Sequence, residues 1–324
     1  RAAGGLCKIG PQDANLLSHI FLPADMEEGE QGNGNGDSIA AADVPVSLQQ
    51  DSDGRPVRIF CGIYTMKEAH QKNTKATRYT WAKRCDGFIA FSTIDDPAIP
   101  SVAVVHEGKE LYDNMWQKSR SIWKYIHAHL KDQFDFFLLG GDDMFYIVEN
   151  LRAYLTSPEI TAKKNDGQGL FIGRIFQPPK QLVFNSGGAG YILDVKALET
   201  LGSSLDNPKC YPHQQGFWED VNVANCLKKA DPPILPYNTR DDLGRERFHP
   251  FTPGLQLNYR IPKNPDWYAK YNPNLKVGYE CCSNRSISFH YAKVWWYFPS
   301  QSKDYYGLCR YHIYICVCLF QIWK

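Results

Sequence analysis

The sequence lacks the features that define several large protein classes. It has no apolar run of about 18 residues, so no transmembrane helix is expected within it. Neither charge is in excess: 36 Lys and Arg stand against 35 Asp and Glu, a formal net charge of +1. That balance excludes the basic field of a nucleic-acid binder and a polybasic membrane patch. There is no GxGxxG dinucleotide fingerprint and no internal repeat. The ten cysteines show neither CxxC…CxxC nor CxxC…HxxxH spacing, which argues against a structural zinc site. The chain opens on Arg1 rather than methionine, so its natural N-terminus is expected to lie upstream. Residues 312–323 are apolar but shorter than the roughly 20 residues a span needs.

What is present points to a folded α/β protein. With 324 residues there is room for two small domains or one large α/β domain with tails. Aromatics at 14% suit a large core, an interface or a sugar surface. Ten cysteines without metal spacing favour disulfides in an oxidising lumen, and the sequon Asn284-Arg285-Ser286 agrees with that compartment.

Residues 1–56 read as a flexible stem or tail, because EEGEQGNGNGD at 27–37 cannot bury enough apolar surface to offset its ordering. The rhythm changes at Val57, where a near-continuous apolar run to Thr65 has the pattern of a buried parallel strand. Helix-like residues 75–85, strands at 87–93 and 102–105 and a long helix at 111–130 follow. In that helix Leu111, Met115, Ile122, Ile126 and Leu130 fall near one face. A strand from Phe134 ends in Gly140-Gly141-Asp142-Asp143, before a helix at 148–155 and a strand at 170–176. Such alternation predicts an α/β fold with an open, mostly parallel sheet and helices on both faces. Ligands bind such sheets at the carboxyl ends of the strands, where Asp142 and Asp143 stand. Residues 299–324 form a C-terminal segment of uncertain structure.

Each candidate constellation has two readings. Asp142 and Asp143 either hold a divalent cation on phosphate oxygens or are solvated turn carboxylates. The segment Asn185-Ser186-Gly187-Gly188-Ala189-Gly190 lets backbone approach a ligand closely, or makes a turn between strands. Glu219 and Asp220 open a helix where the macrodipole favours carboxylates, or one of them accepts a proton from a substrate hydroxyl. His249 and His290 are core histidines, or one supplies the ligand that two carboxylates lack.

In collinear order these pieces resemble the core 1 β1,3-galactosyltransferases, within the fringe-like β1,3-glycosyltransferases. The resemblance runs over residues 57–291. It rests on Ile59-Phe60-Cys61 with Thr65, Thr80-Trp81-Ala82-Lys83-Arg84-Cys85, Lys118-Ser119, Asp142-Asp143, the Ser186–Leu193 glycine segment and Glu219-Asp220-Val221. The most specific stretches are LGRERFHPF at 243–251 and Cys281-Cys282-Ser283 leading to Ser288-Phe289-His290-Tyr291.

The resemblance implies an A-type glycosyltransferase fold over residues 57–298 and an inverting transfer of galactose from UDP-galactose to the 3-hydroxyl of O-linked GalNAc on a glycoprotein or glycopeptide, with Mn²⁺. By the same resemblance Asp143 and His290 are metal ligands and Asp220 is the catalytic base. Thr65, Lys118, Asp142 and Tyr291 lie near UDP, and Trp267, Tyr268 and Glu219 at the acceptor. It further implies a type II membrane protein of the Golgi lumen, anchored by a segment missing from this sequence; a homodimer is left open. One departure stands out: the family has three consecutive aspartates, and Gly141 takes the first position. A non-catalytic homologue that binds a UDP-sugar or a glycoprotein, or an enzyme with another donor or acceptor, therefore stays open. Disulfides are expected for Cys210–Cys226 and Cys61–Cys85, each loop contributing about 3 kcal/mol; the adjacent Cys281 and Cys282 are left open.

Overall fold

The computed structural model describes residues 50–292. The expected stem as far as residue 49, the 299–324 segment and its apolar stretch lie outside the described residues. Residues 51–55 close a turn in which the Asp51 carboxylate accepts the Asp53 and Arg55 amides, and Arg55 reaches Asn165. Residues just ahead of Val57 are thus already tied into the fold.

The chain first builds β1 (Ile59–Tyr64), α1 (Lys75–Tyr79), β2 (Gly87–Ser92), β3 (Ser101–Ala103), α2 (Met115–His129) and β4 (Phe136–Gly141). It continues with β5 (Phe145–Tyr146), α3 (Val148–Leu155), α4 (Pro158–Asn165), β6 (Phe171–Gly173), β7 (Ile175–Phe176), β8 (Phe184–Asn185), β9 (Tyr191–Asp194), α5 (Val195–Ser204) and α6 (Glu219–Lys228). The last elements are β10 (Pro236–Tyr237), β11 (Phe248–His249), α7 (Pro253–Asn258), α8 (Trp267–Tyr271) and β12 (Ser288–Phe289). The central sheet has the order β10-β6-β9-β4-β1-β2-β3. Its pairs are parallel except those of β9, which runs antiparallel between β4 and β6.

The two faces of the sheet explain its apolar runs. Along β4, Phe137 and Leu139 join the core under α2, α5 and α6, while Phe136 and Leu138 join the core under α3 and α4. Side chains alternate between faces, so a strand covered on both sides is apolar throughout. Each such side chain contributes about 1.5–3 kcal/mol by leaving water.

Three expected elements differ. The long helix begins at Met115 rather than Leu111, which is exposed; its buried stripe holds Trp116, Ile122, Trp123 and Ile126. The segment at 75–85 is helical only to Tyr79, then turns at 82–84 to place Cys85 beside β1. The strand at 170–176 breaks at Arg174: β6 stays in the main sheet and β7 pairs β8. Arg174 is fully buried and donates to Asn272 and Tyr268, so a buried guanidinium interrupts the ladder.

Among the described residues three disulfides are formed: Cys61–Cys85, Cys210–Cys226 and Cys281–Cys282. None of the helices among the described residues is long and apolar enough to cross a membrane.

Candidate active site

The carboxyl ends of β1 and β4 lie side by side, with Tyr64 level with Gly141. Just beyond them the Thr65 hydroxyl donates to Asp142 Oδ2, and Asn73 Nδ2 donates to Asp142 Oδ1 at 3.1 Å. Both Asp142 oxygens therefore carry neutral partners. Burial pushes the Asp142 carboxyl up despite those bonds, with the neighbouring Asp143 charge adding to the effect. Lys118 Nζ donates to the Thr65 carbonyl at 2.5 Å and pairs with Glu110. Thr65, Lys118 and Asp142, expected together at a nucleotide, form one hydrogen-bonded set.

The second part of the site comes from α6. No side chain caps this helix; Asp220 bonds backbone at its start, Oδ1 accepting Val221 N–H and Oδ2 accepting Gly187 N–H, both at 2.8 Å. Burial pushes its carboxyl up while those amides pull it down. Glu219 is buried, and its Oε2 accepts the Tyr191 hydroxyl at 2.8 Å. Burial first, then the Asp220 charge, pushes Glu219 up to about 8. Two adjacent carboxyls thus differ: Glu219 is closed in behind the glycine turn, and Asp220 is only partly covered.

The glycines are what let these groups meet. A Cβ on Gly187 would stand 2.3 Å from Glu219 Oε1 and 3.2 Å from Asp220 Cβ. A Cβ on Gly188 would stand 3.0 Å from His290 Nδ1. Asp220 and His290 therefore contact successive glycines of one turn. Ser288 Oγ donates to the Ala189 carbonyl at 2.6 Å and holds β12 against that turn.

His290 reaches Asp143 through strand register. β12 pairs β5 antiparallel with Phe289 opposite Phe145, and Ala292 N–H donates to the Asp143 carbonyl. His290 Nε2 stands 3.2 Å from Asp143 Oδ1, both side chains partly exposed. Adjacent ligands at about 2.1 Å from one octahedral ion are roughly 3 Å apart, so this pair fits a shared divalent cation. No group of three or more His, Cys, Asp or Glu that could hold a metal occurs among the described residues. Asp143 and His290 are two such donors that lie side by side at this end of the sheet. A Cβ on Gly141 would lie 2.9 Å from Asp143 Oδ1; the Asp143 carboxylate sits close over the position where the resemblance expects another aspartate.

The remaining expected residues are dispersed. Tyr291 takes a left-handed backbone (φ 56°) and stacks on His290 at 3.8 Å. Tyr268 is buried, its hydroxyl bonded to Arg174 and Gln256, so it supports its aromatic neighbours rather than facing a ligand. Trp267 is half exposed on that same cluster, packed against Phe176 and Phe251. His249 is a core histidine: it bonds Ser286, stacks on Phe289, and burial holds its pKa well below the usual range.

The chain is 30% identical over 246 residues to glycoprotein-N-acetylgalactosamine 3-beta-galactosyltransferase 1 of Xenopus laevis, over 73% of this chain and 63% of that protein. This similarity supports a core 1 β1,3-galactosyltransferase-like family for the chain. It is also 24% identical to chondroitin sulfate synthase 3 of Mus musculus over 214 residues and of Homo sapiens over 218, in each case 23% of the synthase. It spans less than two thirds of the length of these relatives. No protein-family model matches the chain. The α/β architecture, with its mostly parallel sheet, is consistent with the A-type fold of such transferases.

Three site residues escaped sequence reasoning. Asn73 lies in the π-helical turn His70–Thr74 and Glu110 on an irregular segment; only folding aims them at Asp142 and Lys118. Tyr64 ends an apolar strand and reads as core. Its phenol is pushed well above the usual range by burial and then by the Glu219 and Asp143 charges.

Proposed function

We propose that the chain is an inverting β1,3-glycosyltransferase that moves galactose from UDP-galactose to the 3-hydroxyl of O-linked GalNAc on glycoproteins. The observation that carries this reading is the turn at Gly187-Gly188, with Asp220 against one glycine and His290, paired with Asp143, against the next. A base and a diphosphate site must face each other across the reacting sugar, and this arrangement supplies both.

Asp220 is the base. Each of its oxygens accepts one backbone amide, which fixes its direction and leaves lone pairs for the acceptor hydroxyl. Its burial raises its basicity above that of a free carboxylate, toward the working pH, which favours proton transfer. As the acceptor oxygen bonds to the anomeric carbon, its proton passes to Asp220 and the bond to the UDP oxygen breaks on the opposite face. Asp143 and His290 would hold Mn²⁺, which when bound neutralises charge developing on the diphosphate. Thr65 and Asp142 orient the nucleotide side, and Lys118 holds the Thr65 carbonyl in place. A largely neutral Glu219 spares the site a second fixed charge beside the base.

The disulfides suit an oxidising lumen, and we assign the enzyme to the Golgi lumen as a type II protein. Transfer assays with a panel of nucleotide sugars, GalNAc-peptides and Mn²⁺ test the reading: UDP-galactose should give a β1,3-linked product. A second reading, a non-catalytic homologue that binds UDP-sugar or glycoprotein, draws on Gly141 in place of an aspartate. UDP binding without transfer or hydrolysis of any donor would favour it.

A further inference from the structure

The sequence holds one Asn-X-Ser/Thr sequon, Asn284-Arg285-Ser286, and the fold treats its residues differently. Asn284 and Arg285 are exposed, whereas Ser286 is only 2% exposed. All three lie on the turn between the Cys281–Cys282 disulfide and β12. Ser286 N–H donates to the Ser283 carbonyl and Arg285 N–H to Ser283 Oγ, both at 3.1 Å, which closes the turn. The Ser283 N–H donates to the Glu246 carbonyl at 2.8 Å, and Asn150 Nδ2 donates to the Ser286 carbonyl at 2.8 Å. The backbone on both sides of Asn284 is therefore anchored, while its side chain stands in solvent.

The fold engages the Asn284 amide through its oxygen. Oδ1 accepts Arg245 Nη2–H at 3.3 Å, and among the described residues Nδ2 donates no hydrogen bond. An N-linked sugar replaces one hydrogen on Nδ2 and leaves Oδ1 as an acceptor, so the bond to Arg245 survives the modification. A glycan is bulky and needs a surface position, which this side chain has. Ser286 is the opposite case. Its Oγ donates to the Ser283 carbonyl at 2.7 Å, so His249 Nε2, at 2.9 Å, is the donor to that oxygen. His249 is itself fully buried. The hydroxyl is part of the sequon signal, and in the folded chain it is out of reach of an enzyme.

We propose that Asn284 is an N-glycosylation site, modified from a lipid-diphosphate-linked oligosaccharide while the chain is unfolded, before Ser286 packs on His249. In that step Asn284 Nδ2 bonds to the anomeric carbon of the first sugar. The bond from that carbon to the diphosphate oxygen breaks, the amide gives up one proton, and the lipid diphosphate leaves. The proposal rests on the lumenal assignment above and is independent of the transfer chemistry at Asp220.

For the test, a cleavable leader peptide carries the full chain into the lumen of a eukaryotic cell, where it should gain a single oligosaccharide. Release by peptide-N-glycosidase in heavy-oxygen water should turn the Asn284 amide into a labelled carboxyl, read by peptide mass spectrometry. The treated protein should run faster on a gel, and untreated N284Q should run at that same faster position. The label is read on the wild type, so the result stands even if N284Q misfolds. The order is tested with unglycosylated chain, purified oligosaccharyltransferase and lipid-linked oligosaccharide. Reduced and carboxymethylated chain, held unfolded, should be modified; oxidised, folded chain should not. An unlabelled Asn284 in the lumenal chain overturns the site, and equal modification of folded and unfolded chain overturns the order. The leader supplies the compartment, so an inactive transferase or a different native compartment mimics neither failure.

Discussion

Gly187→Ala is the sharpest perturbation of this site, because one methyl group meets two carboxyls. The new Cβ would stand 2.3 Å from Glu219 Oε1, roughly 1 Å inside ordinary contact. Glu219 cannot swing into water: it is 5% exposed, and its other oxygen accepts the Tyr191 hydroxyl, which itself accepts Trp123 Nε1–H. Moving the turn instead breaks the Gly187 N–H bond to Asp220. Overpacking of this kind costs about 2–3 kcal/mol, which in a domain of this size lowers Tm by about 5–10 °C. The control is Gly188→Ala, whose Cβ meets His290 Nδ1 at 3.0 Å. That ring is partly exposed and can yield, so the cost should stay under about 1 kcal/mol. Differential scanning calorimetry reads both variants, and transfer assays should show G187A losing turnover through displacement of Asp220. A Tm for G187A within about 1 °C of wild type, or the two glycines responding alike, would refute the packing argument.

Further outcomes follow from the same geometry. D220N keeps shape but cannot accept a proton, so turnover should fall about 10²- to 10⁴-fold while UDP binding persists; normal turnover sinks the assignment. Glu219, raised from an ordinary 4.5 to about 8 by burial and then by Asp220, lends stability that is complete below its unfolded pKa and is lost as pH rises through 8. Urea midpoints should therefore fall between about pH 5 and pH 9, and E219Q should flatten that fall; an equal slope in both proteins argues against a neutral Glu219. Mn²⁺ should tighten UDP, and UDP should tighten Mn²⁺ by the same factor, measured by calorimetry; equal UDP affinity with and without Mn²⁺ removes the metal from the mechanism. G141D should raise affinity for the bare ion, since Asp143, partly exposed, can rotate away from the added Cβ.

Much of the scaffold was legible along the chain because its signals are local. The apolar runs of β1 and β4, the spacing of Ile122 and Ile126 in α2 and the acids opening α6 each reflect burial within a few residues. The pairs Cys61–Cys85 and Cys210–Cys226 followed from the elements they flank. Even the start of α2 was displaced only because Leu111 looks apolar while the chain there is still an exposed loop. The site is different in kind. No local pattern shows that β12 pairs β5 in the register that sets His290 beside Asp143, nor that Gly187 and Gly188 lie between α6 and β12. Tyr268 and Trp267 are adjacent in sequence, yet one is buried on Arg174 and the other is half exposed, a difference set by what packs above each ring. By itself the sequence determined which segments fold and which chemical groups are available, because periodicity and residue type are properties of neighbours. Only the tertiary structure decided which carboxyl is enclosed and which is partly exposed, because burial and distance depend on segments far apart in the chain.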